Sequence, residues 1–242
     1  NMKITLPDNS SRELPEGSSG YDLAKDIGPG LAKSAIAVTI DGVQRDLHDA
    51  IDADASVSII TIDSDEGIEI MRHTLTAQVL ARAIKNLYPK SKLAIGPTVQ
   101  DGFYYDVESN ESISSDDLSK IEEEMKKIIK TKSAITKKLV SKKEALKIFK
   151  SNKEPYKEII INESDQDDNF QLYYQDDEEF VDLCRGPHLP NLGFIGSFKL
   201  TKVSGAYWKG DSKNSMLTRI YGTAFSNDKD LQNHLENIEE AL

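Results

Sequence analysis

The run IEIMRHTLTAQVLARAIKNLYP, from Ile68 to Pro89, constrains the fold more than any other stretch. Leu75, Val79, Leu80, Ala83, Ile84 and Leu87 recur at helical spacing, and Pro89 ends the pattern. A long helix with one apolar face has to be covered by other elements. The segments that follow supply strands: KLAIGPTVQDGFYYDV, with its GP and DG turns, then PYKEIII, FQLYYQ, EEFVDLC and GSFKLTKVSGAYW. Two further helices, SSDDLSKIEEEMKKIIK capped by Ser114 or Ser115 and SKKEALKIFK, lie among them. The pattern predicts one α+β domain over residues 64–225, and the acidic helix DLQNHLENIEEAL predicts a helical linker over 226–242.

In front of this domain, DSDEG at 63–67 marks a joint, and residues 1–63 read as a unit of their own. KITL and REL are strands joined by the PDNS turn, Ser18 or Ser19 caps the helix GYDLAKDI, and GPG at 28–30 stops it. AIAVTIDG and VSIITI are β-rich. Hairpin, helix and further strands predict a small ubiquitin-like β-grasp. Its lone histidine, His48, reads as a surface residue.

The fold class is therefore α+β, a β-grasp domain followed by a larger α+β domain. At 242 residues with 38% hydrophobic content the chain can bury a core for each. A single cysteine excludes an internal disulfide, and no apolar run reaches the length of a membrane helix, so no membrane contact and a cytoplasmic location are expected. The net charge of −11 argues against a protein that coats nucleic acid non-specifically. Yet twelve lysines face two glutamates between Lys126 and Lys157, either a solvated helix face or a surface for a polyanion.

The one cysteine lies in VDLCRGPHLP, four residues before His188. Gly186 and Pro187 make a helix there improbable, so Cys184 and His188 sit on a turn after a strand that carries Asp182. Three readings stand open. Cys184 and His188 with His73 are candidate zinc ligands; Cys184 is a candidate nucleophile; or the thiol is simply buried. The next polar side chain after His73 on its helix that might complete a metal site is Gln78, five residues on and a poor zinc ligand.

ITLPD, DIGPGLAK, SIIT, AIGPTVQDGFYYDV, FVDLCRGPH and SGAYWKGDSKNSMLTRIYGTAF together resemble the N-terminal half of the bacterial threonyl-tRNA synthetases. The resemblance covers nearly the whole chain. It implies a β-grasp of the TGS type, the editing domain shared with alanyl-tRNA synthetases, and a lead-in to a class II aminoacylation core outside this sequence. In that family the editing cleft is built from a His-x-x-x-His pair, a Cys-x-x-x-His segment, a lysine after a tyrosine and an acid before the cysteine. His73 matches the first histidine, Lys157 the lysine, and Asp182, Cys184 and His188 the last segment. Gln78 takes the place of the second histidine after an apparent one-residue insertion; if the register is kept from Gln78 backwards, Thr74 takes the place of the first.

The resemblance implies hydrolysis of mischarged seryl-tRNA(Thr) by water attack on the aminoacyl ester, in a protein that ligates threonine to tRNA(Thr) with ATP. A pocket for threonine cannot exclude serine, because one methyl is worth only about 1–3 kcal/mol, so a second sieve is needed. His73, Lys157, Asp182 and His188 are the expected catalytic residues. Gln78, Gly96, Tyr105, Cys184, Gly205 and Tyr207 are the expected substrate contacts, with Tyr105 stacking on adenine. No metal is expected in editing, the zinc-dependent alanyl-type hydrolase with His73, Cys184 and His188 as ligands being one alternative and a tRNA-binding module the other. ATP, Mg and zinc are expected only for the aminoacylation core. The full-length protein is expected to be a homodimer, with a monomer open for this fragment.

Overall fold

The computed structural model describes residues 1–241; Leu242, the last residue of the expected linker, lies outside the described residues. The first unit contains β1 (Met2–Thr5), β2 (Ser11–Leu14), α1 (Gly20–Ile27), α2 (Pro29–Ser34), β3 (Ala35–Ile40), β4 (Val43–Asp46) and β5 (Ala55–Thr61). The strands form one sheet in the order β2-β1-β5-β3-β4, with β1 and β5 parallel. Ser19 caps α1 in a reciprocal capping box with Asp22, which fixes where the chain turns from strand to helix. Leu23 and Ala24 then bury against Met2, Ile4, Val38 and Val57 of the sheet. This is a β-grasp. The GPG segment ends α1 as its composition predicts, but Pro29 also opens α2, because its fixed φ suits a first helical position.

Across the joint, Ser64 caps a rod made of α3 (Asp65–Thr74), a π-helical turn (Leu75–Leu80) and α4 (Ala81–Leu87). The strand-rich part begins with β6 (Lys92–Leu93), β7 (Thr98–Val99) and β8 (Gly102–Glu108). Then come α5 (Leu118–Lys130), β9 (Thr136–Val140), α6 (Lys142–Ser151), α7 (Pro155–Glu163), β10 (Phe170–Tyr174) and β11 (Val181–Leu183). The hairpin β12 (Ser197–Tyr207) and β13 (Met216–Phe225) leads into α8 (Asp228–Ala241). One sheet runs β12-β13-β8-β6 with β7 also on β8; a second, smaller one runs β11-β10-β9.

The apolar stripe of the rod is the core of this larger part. Leu75, Val79, Leu80 and Ile84 pack on Phe103, Tyr105 and Val107 of β8 and on Ile121 and Met125 of α5. Ile36, Ala37 and Ile60 of the β-grasp join the same cluster, so the two parts share buried apolar surface. PYKEIII is not a strand but the start of α7, a correction with a local cause: Pro155 occupies the first helical turn, and the helix buries Tyr156, Lys157 and Ile161. The isoleucines that favour a strand in isolation are overruled by that burial. Helix α8 turns back onto the hairpin, where His234 lies 4.9 Å from the ring of Phe225.

Gly67, in the first turn of α3, seats the rod against the β-grasp: a Cβ there would lie 2.0 Å from the carbonyl oxygen of Thr61. Gly67→Ala is expected to lower stability by about 1–3 kcal/mol, the usual cost of overpacking, read as a lower urea midpoint with unchanged slope.

Candidate active site

The π-helical turn decides which side chains of the rod reach the site. A π turn inside an α-helix accommodates one extra residue, the insertion that the sequence implies before Gln78. His73 and Ala77 both line a cavity of about 380 Å³. Gln78 does not: it is fully buried, donates its amide to the Tyr173 carbonyl at 3.4 Å, and accepts from Gln175 at 3.1 Å. The expectation that Gln78 stands in the cleft for a second histidine is thus corrected. Ala77, which can neither ligate nor transfer a proton, faces the cavity instead. Thr74 does not replace His73; its hydroxyl lies beneath, 2.9 Å from Nδ1 of His188.

Lys157 reaches the same cavity from the first turn of α7, and Asp182 from β11. Their Nζ and Oδ1 are 2.8 Å apart with both side chains almost wholly buried. The ammonium also donates to the Ala94 carbonyl and to the Tyr105 hydroxyl, each at 2.8 Å, so its three hydrogens are all placed. Tyr105 accepts from Lys157 and donates to Asp182 Oδ2 at 3.2 Å. Burial, then the Asp182 charge, holds that phenol well above its usual range, which keeps it a neutral donor. Tyr105 therefore cannot stack on a base, as the sequence suggests, since none of its ring is exposed. Gly96 lines the cavity and also lets that ring close, because a Cβ at Gly96 would lie 2.2 Å from it. The adjacent Tyr104 faces away, as strand alternation requires, and lies under the Arg219 guanidinium at 4.0 Å.

Past β11 the chain makes the turn that carries Cys184 and His188. Gly186 adopts φ +65, and its lack of a Cβ leaves room for the Tyr173 hydroxyl. Cys184 Sγ accepts from the Gly186 N–H and meets His73 Nε2, both at 3.2 Å. Burial pushes the thiol up to about 12 and pushes His73 below its ordinary value, the latter opposed by a hydrogen bond to the Pro187 backbone. A neutral thiol therefore meets a neutral imidazole. That is the opposite of an activated thiolate.

His188 does not reach the cavity. It is 2% exposed and stacks behind His73 with ring centroids 4.5 Å apart, so it backs the His73 imidazole rather than facing the cavity. Burial and the neighbouring His73 depress its proton affinity strongly. The Thr74 hydroxyl accepts from the Leu189 N–H and lies within hydrogen-bond reach of His188 Nδ1. The other ring nitrogen, Nε2, is buried without a partner among the described residues. Gly205 and Tyr207 do not line the cavity either; they lie at the far end of the β12–β13 hairpin, where Gly205 packs on Met216 and Tyr207 pairs with it.

The structure thus brings His73, Gly96, Lys157, Asp182 and Cys184 together and leaves Gln78, Tyr105 and His188 behind the wall. Sequence reasoning missed Gln171, Arg185, Glu163 and Gln166, which line the mouth, and no spacing marks them. It also missed Asp46 of the β-grasp, which bonds the backbone of His188.

Comparisons with known proteins agree with this architecture. The TGS domain profile matches residues 2–61, and that of the threonyl and alanyl tRNA synthetase second additional domain matches residues 171–221. The chain therefore carries a TGS β-grasp followed by an editing-type domain of these synthetases. Along 98% of its length it is similar to threonine--tRNA ligases: 48% identical over 238 residues to that of Hahella chejuensis (strain KCTC 2396), and 46% to that of Prochlorococcus marinus (strain MIT 9211). The chain spans 37% of the length of each. No helix among the described residues is long and apolar enough to cross a membrane.

The buried histidines set a pH dependence. Both have folded-state proton affinities below the ordinary 6.5. Above that pH they are neutral folded or unfolded; below it the unfolded chain takes up protons that the folded one refuses, so stability is lost as pH falls. Each contributes a slope of at most about 1.4 kcal/mol per pH unit. Urea unfolding between pH 7.5 and 5.5 is expected to show falling stability towards acid, and His188→Gln a shallower slope.

Proposed function

We propose that this cavity hydrolyses the ester of seryl-tRNA(Thr), the proofreading reaction of a threonyl-tRNA synthetase. The observation that carries the reading is the single cavity in which His73, a buried Lys157–Asp182 pair and an unactivated Cys184 thiol meet. In a cleft that offers a neutral base and a fixed positive charge but no activated nucleophile, the attacking group is water. A water oxygen bonds to the ester carbonyl carbon, the carbon–oxygen bond to the ribose breaks, and serine and free tRNA leave. Neutral His73 accepts the water proton on Nε2, exchanging the weak S–H of Cys184 for it. Lys157 stabilises the developing oxyanion by charge, its hydrogens being already engaged. Asp182 attracts the substrate's ammonium.

The partner is tRNA(Thr), and the exposed lysines between Lys126 and Lys153 are the surface of this chain best suited to its phosphates. Ligation of threonine, with its ATP, Mg and zinc, and the homodimer belong in this proposal to the remainder of a longer protein.

One observation favours a second reading. His73, Cys184 and His188 offer ligand atoms within 4.8 Å of one another, a set that fits a three-ligand zinc site with an open position. A zinc held by these three would supply Lewis-acid activation of water. The alanine at position 77, which supplies no ligand from the rod, weighs against it. Purified protein is expected to hold much less than one zinc per chain and to keep its activity in a chelator; stoichiometric zinc, lost together with hydrolysis, would establish the second reading.

Deacylation assays with both esters test the main reading. Seryl-tRNA(Thr) is expected to lose its amino acid faster than threonyl-tRNA(Thr), and equal rates would sink it.

Two substitutions separate the roles. Lys157→Ala is expected to lower the rate by about 100- to 1000-fold, the cost of one preorganised oxyanion group. It also strands Asp182 as a buried unpaired charge, so stability should fall by about 3–5 kcal/mol. Cys184→Ser is expected to keep a substantial fraction of the rate, and mass spectrometry should find no seryl adduct on Cys184.

A further inference from the structure

The turn that carries Cys184 and His188 is held from outside its own domain. Asp46, the last residue of β4, accepts the His188 N–H on Oδ1 at 2.9 Å. On Oδ2 it accepts the Tyr173 hydroxyl at 2.6 Å. Lys137 Nζ lies 3.2 Å from that same oxygen and 2.7 Å from Asp49, also of the β-grasp. Tyr173 in turn sets its ring edge against His188 at 4.5 Å and fills the space left by Gly186. One carboxylate of the β-grasp therefore fixes both ends of the 186–188 segment, and His188 stacks directly on His73. The Asp46 side chain is only 14% exposed, so water does little to replace these partners.

We propose that Asp46 is a positioning residue of the hydrolytic site: the β-grasp domain supplies, through this carboxylate, the clamp that sets the Cys184–His188 turn and the imidazole stacked on it. The β-grasp is thereby a working part of the site rather than an appended module. The proposal rests on the hydrolytic reading above for its kinetic consequence, but not for its structural one, and the two are separable. Asp46 touches no cavity-lining atom position open to substrate; it acts through His188 and Tyr173.

The test uses the full chain with Asp46→Ala, Asp46→Asn and, as a control for domain docking, Gln44→Ala. Gln44 makes another contact across the joint, with Glu66 at 2.9 Å. Two readouts are taken: kcat and KM for seryl-tRNA(Thr) hydrolysis, and the rate at which iodoacetamide alkylates Cys184, the only cysteine. Misplacement of a reacting group by about 1 Å costs on the order of 100-fold, so Asp46→Ala is expected to lower kcat by that order with KM within about twofold. Alkylation of Cys184 is expected to quicken by about tenfold as the turn loosens and the Gly186 and His73 contacts to sulfur are lost. Asp46→Asn keeps an acceptor for the His188 N–H while losing the charge at Lys137, and is expected to fall between. Gln44→Ala is expected to leave both readouts unchanged.

Wild-type values for Asp46→Ala in both readouts would overturn the clamp, as would equal effects from Gln44→Ala, which would reduce Asp46 to domain docking. If wild-type protein releases no serine, the hydrolytic reading fails and alkylation alone decides the clamp. Should Asp46→Ala not fold, Asp46→Asn decides: a change in both readouts upholds the proposal, and none overturns it.

Discussion

The ion pair between Lys157 and Asp182 is the interaction on which the rest of the larger domain depends. Two charges withdrawn from water cost several kcal/mol each unless geometry and extra hydrogen bonds restore what was lost. Here the restoration requires four separate pieces of chain to arrive together. Helix α7 brings the ammonium, β11 the carboxylate, β8 the Tyr105 hydroxyl, and the loop after β6 the Ala94 carbonyl. None of these can shift by an ångström without stranding a charge. The cavity wall is consequently rigid where the proposed chemistry is most sensitive to position.

Beside this charged wall stands a neutral one. His73, Cys184 and His188 are all uncharged near neutrality, for the shared reason that burial disfavours ions. Neutrality suits an imidazole that has to accept a proton, and it disarms the thiol. The division between fixed charge on one side and a neutral imidazole on the other is what supports water rather than sulfur as the attacking group in the proposed hydrolysis.

How much of this was legible in the sequence depended on whether the signal was local. The stripe from Leu75 to Leu87 foretold the rod, Ser19 its capped counterpart in the β-grasp, and Gly186 with Pro187 the turn, because each works through its own neighbours. PYKEIII was misread because three isoleucines outweighed Pro155 until tertiary burial was known. Gln78 pointed elsewhere because helical spacing assumes an α-helix, and the π turn breaks that assumption by one residue. Tyr105 reads from the sequence as a stacking partner for adenine, but its hydroxyl is taken by Lys157 and its ring by the core. Asp46 was invisible: it lies 142 residues from His188, and nothing in β4 announces a partner.

The three-stranded sheet ends on β9, which among the described residues has a neighbour on one side only. An open edge is a template on which a second strand, from another copy of the chain, can add. In β9 the exposed apolar side chain is Leu139, and it follows Lys137 and Lys138. Lys137 is drawn to the acids of the β-grasp, while Lys138 pairs with Glu178 and lies 4.5 Å from the ring of Tyr174. A strand approaching this border would meet those charged side chains beside the backbone groups it has to pair with. Some of the lysine excess that looks like a nucleic-acid surface thus also places charge along an open sheet edge, the device by which edge strands are kept from pairing.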